Sequence, residues 1–315
     1  MNGTLRSFQF TTWLNKLFLK LYILDSLLLL IASTVSTGLL LGAIFALVAA
    51  GVTIVYGCIW LPNASNGQFF LLSALVAWGL TSSYGLNSFT ACLIVLLAGV
   101  VLSLIFEKLL FRRLYGVPDR NISYFVITLG LTQIMSGLFS MTFGKWSDQF
   151  SLPPLIPGVT MIGPFPMTNN RILVLVIAYL SLALLFVLLR YHPLGRAVRA
   201  VFQNREAALL RGVNVHSIYK ISFVLGSTII YLGGLLYALA YSFDLTVAWT
   251  MSITAFAIMI VGGPGSVIGA LVIGLVFGFT QAIVSNFTSP TVATFSYLIA
   301  MLLILLVKPN GLFLK

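Results

Sequence analysis

From Leu27 to Leu61 the chain carries no charged residue. About 20 apolar residues suffice to cross the hydrocarbon core of a bilayer, so this run predicts either one long helix or one span followed by a broken half-span. The rest of the chain repeats the pattern. Of its 315 residues 60% are hydrophobic and only 7% charged, at a mean hydropathy of +1.08, whereas about a quarter of the residues in a soluble domain are charged. The expected fold class is all-α, a polytopic transmembrane helix bundle of about eight spans with one or two broken or re-entrant helices.

A net charge of +11 would suggest nucleic acid as the partner of a soluble protein. Here the basic residues sit in short loops between apolar spans, the pattern of cytoplasmic topology signals, so the expected partner is the lipid bilayer and no nucleic acid. Cys58 and Cys92 lie in apolar runs without a His or Cys at metal-ligand spacing. Neither a disulfide framework nor a metal site is expected, and no cofactor.

Residues 1–26 read as an amphipathic tail. Thr12, Asn15, Lys16 and Lys20 share one helical face of Phe8 to Leu24, while Phe10, Leu14, Leu17, Leu21 and Leu24 lie largely elsewhere, as in a helix resting on a membrane surface. The other reading is a signal peptide with Arg6, Lys16 and Lys20 as its basic region and the small residues of Ala32 to Gly38 as its cleavage site. Residues 27–315 form a single transmembrane domain. Within it, Leu61-Pro62-Asn63-Ala64-Ser65-Asn66-Gly67-Gln68-Phe69 interrupts apolar sequence with Pro, Gly and three amides. Non-helical backbone and amides at membrane depth require protein or a watery cavity to satisfy them. This makes Asn63, Ser65, Asn66, Gly67 and Gln68 the candidate lining of a translocation path, with an ordinary extracytoplasmic turn as the competing reading.

Spans are expected near 69–84, 89–106, 124–143, 172–189, 221–241 and 291–307, with a basic loop of Lys108, Arg112, Arg113 and Arg120 after the second of these. The Pro- and Gly-rich stretch from Gly144 to Asn170, with Lys145, Asp148, Pro153, Pro154, Pro157, Pro164 and Pro166, excludes regular helix and reads as the main external loop. Met251 to Val261 is too short to span, and Gly262-Gly263-Pro264-Gly265-Ser266 separates it from the next helix. A broken or re-entrant helix is expected, with Gly262, Gly263, Pro264 and Gly265 as hinge and packing residues. The small-residue pairs Gly38/Gly42, Gly265/Gly269 and Gly274/Gly278 suit close helix contact.

The long charged segment is 190–220. It holds Arg190, Arg196, Arg199, Arg205, Arg211 and Lys220 against the single acid Glu206, and so is expected on the cytoplasmic side. Its pattern predicts a short surface helix over Arg196 to Arg211 that stops at Gly212 and keeps Ala197, Ala200, Val201, Ala208 and Leu209 near one side. Glu206-Ala207-Ala208, then three residues, then Gly212 resembles the EAA signature by which permeases of ATP-binding-cassette importers touch their ATPase. The preceding Gly195-Arg196-Ala197-Val198-Arg199-Ala200 is similar to the branched-chain amino acid permeases of that superfamily. Thr128-Leu129-Gly130-Leu131 and the glycine-rich segment around Gly263, with Ala255-Phe256 before it and Gly269-Ala270 after, resemble the same family. Asn63 and Gly67 match that family's first motif, whereas Ser65, Asn66 and Gln68 stand where alanine, histidine and glutamate are usual. Two titratable groups are thereby replaced by neutral amides, and no role of the family's acid or histidine carries over.

The resemblance implies a permease of the inner (cytoplasmic) membrane acting with two ATP-binding-cassette ATPase subunits, a second permease subunit, related or identical, and an extracytoplasmic solute-binding protein. The solute is expected to be a branched-chain amino acid or a related small polar molecule such as urea or an amide. Arg196, Arg199, Glu206, Ala207, Ala208 and Gly212 would make the ATPase contact. The chain contains no Walker A sequence, so it would leave ATP hydrolysis to its partners and catalyse no covalent step itself. Two other classes compete: an ion-gradient-driven secondary transporter, for which an intramembrane acid is expected, and an intramembrane enzyme. The acids all fall at or beyond the expected span ends, and His192 and His216 both sit in the charged segment. One conflict stands. The basic tail argues for a cytoplasmic start, yet counting the first run as one span places the tail outside; the expectation is an external start.

Overall fold

The charge-free run folds as part of one unbroken helix, α1 (Asn2–Ile59), so it crosses once and does not double back. Its apolar part, Ser26–Ile59, is 34 residues long, and 89% of an apolar stretch within it is buried against only 11% for the last helix, Pro290–Val307. The central post of the bundle is therefore α1. The computed structural model describes residues 2–60, 63–114, 120–144, 149–162, 165–308 and 311–313. Most of the side chains that form the amphipathic face expected of Phe8 to Leu24, and that of Arg120, are not described, while Pro62, Lys145, Asp148 and Pro164 lie outside the described residues.

After α1 come α2 (Asn66–Tyr84), α3 (Ser88–Phe106), a π-helical turn over Glu107–Phe111 and α4 (Arg120–Phe143). The proline-rich stretch holds no helix among the described residues. It forms an antiparallel hairpin of β1 (Val159–Ile162) and β2 (Phe165–Thr168), with Val159 opposite Thr168, and a bridge joins Phe150 to Phe243. Then follow α5 (Asn169–Tyr191), α6 (Pro193–Gln203), α7 (Arg205–Leu210), α8 (Val215–Ala240), α9 (Val247–Gly262), α10 (Val267–Phe287) and α11 (Pro290–Val307). Among the described residues seven helical segments are long and apolar enough to span. The 19-residue α2 is less apolar and is not among them, so the count is seven against the eight or so expected, and the 16 residues of α9 form the expected short helix.

The single surface helix expected over Arg196 to Arg211 is instead two. Asn204 is extended (φ −158°, ψ 109°) and its Oδ1 accepts from Ala207 N, so it ends α6 and caps α7. An asparagine that bonds the backbone ahead of it competes with helix continuation. The apolar side is also narrower than expected: Val201 and Ala208 are buried, while Leu209 is 48% exposed. A further difference concerns Glu107. The sequence put it at or beyond the end of a span closing at Phe106; it lies near the end of the helical segment Ser88–Phe111 and is buried there, which the sequence did not signal.

Small residues set how closely α1 meets its neighbours. A Cβ on Gly274 would stand 2.6 Å from the Ala46 backbone, and one on Gly42 2.9 Å from Leu275 Cα. A Cβ on Gly51 would stand 2.6 Å from the Gly226 carbonyl oxygen of α8. These backbones touch, as small-xxx-small pairs allow.

Candidate functional site

The chain leaves α1 through Trp60, whose φ of 57° is left-handed. It then turns back into the bundle. Trp60 stacks on Phe202 of α6 at 5.3 Å with the rings 6° apart, whereas Phe69, three residues into α2, packs on Tyr231 at 5.7 Å, near the middle of α8. The first turn of α2 thus lies inside the bundle, displaced from the α6 end.

Asn63, Ser65, Asn66, Gly67 and Gln68 are all buried there. Asn63 Oδ1 accepts from Ser65 Oγ (2.6 Å) and Ser65 N (3.1 Å), an Asx turn that sets up the start of α2. Gly67 N donates to Ser252 Oγ at 2.9 Å, Ser252 Oγ donates to the Ala64 carbonyl at 3.4 Å, and Ala64 N donates to Thr128 Oγ1 at 3.3 Å. The segment is clamped between α9 and α4. Gly67 is required by this approach, since a Cβ would overlap the Ala248 carbonyl and Ser252 Oγ. Four polar atoms remain without a partner among the described residues: Asn63 Nδ2, Asn66 Nδ2, Asn66 Oδ1 and Gln68 Oε1. Each such atom costs about 1–3 kcal/mol, so a cluster of four at one level of a bundle demands an explanation.

At the other end of α9 lies the glycine break. Gly263 (φ 92°) and Gly265 (φ 80°) adopt the left-handed region on either side of Pro264, and a Cβ on Gly262 would stand 2.7 Å from the Gly269 carbonyl carbon. Ser266 Oγ accepts from Gly269 N and so opens α10. The chain's last described residues return to this place, with Leu312 N donating to the Val261 carbonyl at 2.8 Å. The amides and the break are therefore separate sites on one short helix. Ten residues divide Ser252 from Gly262, about 15 Å at 1.5 Å per residue.

The charged segment packs directly on both broken elements. Phe202 lies between Trp60 and Gly265, where a Cβ would stand 2.6 Å from its ring, and the Cys58 thiol donates to the Val198 carbonyl while accepting from Ser222 Oγ at 3.0 Å. Arg199 donates through Nη1 and Nη2 to the Leu189 and Arg190 carbonyls, closing the C-terminus of α5. Arg196, Glu206 and Ala207 are exposed, Ala208 is buried and Gly212 is exposed at φ 80°. Gly212 N donates to Leu209 O and Val213 N to Ala208 O, a tight left-handed end to α7. Sequence reasoning missed Trp60, Phe202 and Ser252. An aromatic or a serine in an apolar run carries no signal until its neighbours are known.

A family model described as the permease component of the branched-chain amino acid transport system matches residues 34–307. The chain is 25% identical over 287 residues to the high-affinity branched-chain amino acid transport permease LivH of Salmonella typhimurium, covering 87% of this chain and 92% of that protein. It is 25% identical to BraD of Pseudomonas aeruginosa, covering 87% of this chain and 93% of BraD. It is 24% identical to a probable LivH of Methanocaldococcus jannaschii, covering 85% and 88%. No solved structure matches significantly. With the family model spanning all the buried helices, both breaks and the charged segment between them, the chain belongs to the branched-chain amino acid transport permeases.

Proposed function

We propose that this chain is the membrane permease subunit of an ATP-driven importer for branched-chain amino acids or a closely related small polar solute, in the cytoplasmic membrane. The importer has two ATPase subunits, and the contact with this chain is made on α6 and α7 through Arg196, Arg199, Glu206, Ala207, Ala208 and Gly212. A second permease subunit completes the pathway, and an extracytoplasmic binding protein delivers the solute beside the hairpin loop. The observation that carries this reading is the placement of Phe202: one side chain of the docking helix touches both the end of α1 and the break before α10. A push on α6 is thereby passed to Trp60 and to the break at Gly263–Gly265, both of them non-helical backbone among the described residues. Alternating access follows from rocking about these joints.

In this reading the solute passes beside Asn63, Asn66 and Gln68. Their unpartnered donors and acceptors match a molecule that offers both kinds of group, and carry no charge for it to neutralise. The test is uptake of radiolabelled leucine, isoleucine, valine and urea by vesicles holding the complete complex, with and without ATP. ATP-dependent uptake of one of them is expected. Uptake driven by an ion gradient without ATP would overturn the reading in favour of a secondary transporter.

A further inference from the structure

Halfway along its length α4 turns an unpaired amide outward. Gln133 stands near the centre of the 22-residue span Ile122–Phe143. At 1.5 Å per residue it is about 15 Å from either end, too far for its side chain to reach water beyond the bilayer core. It is exposed and makes no hydrogen bond among the described residues. The opposite side of the same helix is already occupied. Met135 and Phe139 are buried there, while Tyr124 packs on Phe111 at 4.9 Å and Phe143 on Trp78 at 6.2 Å.

Two glycines flank the amide. Gly130 and Gly137, three residues before it and four after, share its face of the helix. Both are exposed, and a Cβ on either would meet nothing within 4 Å. Gly99 and Gly226 differ, since a Cβ on the first would stand 2.7 Å from the Tyr231 ring and one on the second 2.5 Å from Val55. The outward faces of α3, α5 and α11 differ too. They expose Leu97, Val101, Leu180, Leu184, Leu302 and Leu303, the side chains that lipid accepts without a partner.

A hydrogen-bonding side chain at the centre of a bilayer is costly against lipid and is satisfied by a facing helix, which small residues allow to come close. A carboxamide is both donor and acceptor, so it can pair with its own copy. A twofold axis along the membrane normal brings Gln133 opposite Gln133 at one depth. A second copy is thus the partner in which the matching group at the matching depth is built in.

We propose that the face of α4 bearing Gly130, Gln133 and Gly137 is an interface with a second copy of this chain, the two Gln133 carboxamides pairing across the axis. This deepens the reading of a permease pair and rests on it only in taking the second copy as the second permease subunit.

The experiment uses the purified full chain in phosphatidylcholine vesicles. Gln133→Cys is oxidised beside Leu180→Cys, which puts the thiol on the outward face of α5, and beside wild type, whose Cys58 and Cys92 set the background. A covalent dimer is expected from Gln133→Cys alone. Energy transfer between donor- and acceptor-labelled chains, followed as lipid is added, then reads association. Gln133→Leu and Gly137→Leu should each weaken it roughly tenfold, and Gln133→Asn should recover part of the loss. Gly137→Leu guards against misfolding, because nothing lies near that position within one chain and its melting temperature should match wild type. A chain that stays monomeric, an equal dimer band from Leu180→Cys, or association that neither leucine variant weakens overturns the proposal. So does a complete importer in which Gln133→Cys cross-links to a different permease chain. A dimer joined through α4 without ATP-driven uptake would sink the import reading instead and leave this pairing standing.

Discussion

Trp60 and Phe202 lie face to face, their ring centroids 5.3 Å apart and their planes within 6°. One directly follows the central helix and the other sits near the end of α6. Removing the ring in Phe202→Ala deletes a stack of about 0.5–1.5 kcal/mol and opens space above Gly265. The expected phenotype is uncoupling: the complex assembles and hydrolyses ATP, while uptake per ATP falls roughly tenfold. Normal uptake per ATP would show that Phe202 only fills space. Phe202→Trp, which restores a stacked ring, should recover part of the loss.

Asn66 has neither amide atom partnered among the described residues. Asn66→Leu, which keeps the branching and the number of heavy atoms, removes two unsatisfied groups worth about 1–3 kcal/mol each. Thermal unfolding of the variant in detergent should therefore occur at the same temperature or higher. Uptake should fall roughly tenfold or more, because the solute loses a donor and an acceptor. Lower stability with undiminished uptake would make the amides structural.

Gly67→Ala should act oppositely, on folding first. Its Cβ would meet the Ala248 carbonyl, a backbone group that cannot swing aside. Overpacking of this kind costs about 1–3 kcal/mol, so yield and melting temperature should drop. Ser252→Ala, which leaves Gly67 N without its acceptor, should drop them less.

At Gly212 the restriction is conformational. A Cβ there would have nothing within 4 Å, but φ is 80°. Asparagine tolerates this region and valine does not. Co-purification with the ATPase should therefore rank wild type above Gly212→Asn and that above Gly212→Val. Equal recovery of all three would detach the turn from docking.

Much of the architecture was legible because lipid imposes it. Spans bounded by Tyr84, Phe106, Phe143 and Val307 end where the apolar runs end, and Met251 to Val261 announced a short helix by its length alone. The proline-rich loop excluded helix but gave no sign of the hairpin, whose register depends on pairing across a turn. The split at Asn204 was missed because apolar spacing alone continued through it, although an asparagine before Arg-Glu is itself a capping signal. Asn63 to Gln68 stood out because amides are costly in an apolar setting. Their clamp was not visible, since Ser252 and Thr128 reach them from 185 and 64 residues away.

The seam between α1 and α10 has a mechanical consequence. Where Gly42, Ala46 and Gly274 put backbone on backbone, there are few side-chain rotamers to rearrange and almost no room to slide. Two helices so joined behave as a strut. Under the proposed coupling, a torque from α6 would not be absorbed along that strut; it would concentrate at the next compliant point, the left-handed turn at Gly263 and Gly265, which sits at the strut's own foot. The glycines of the seam and those of the turn are the same residue type used for opposite ends, one to abolish motion and one to permit it.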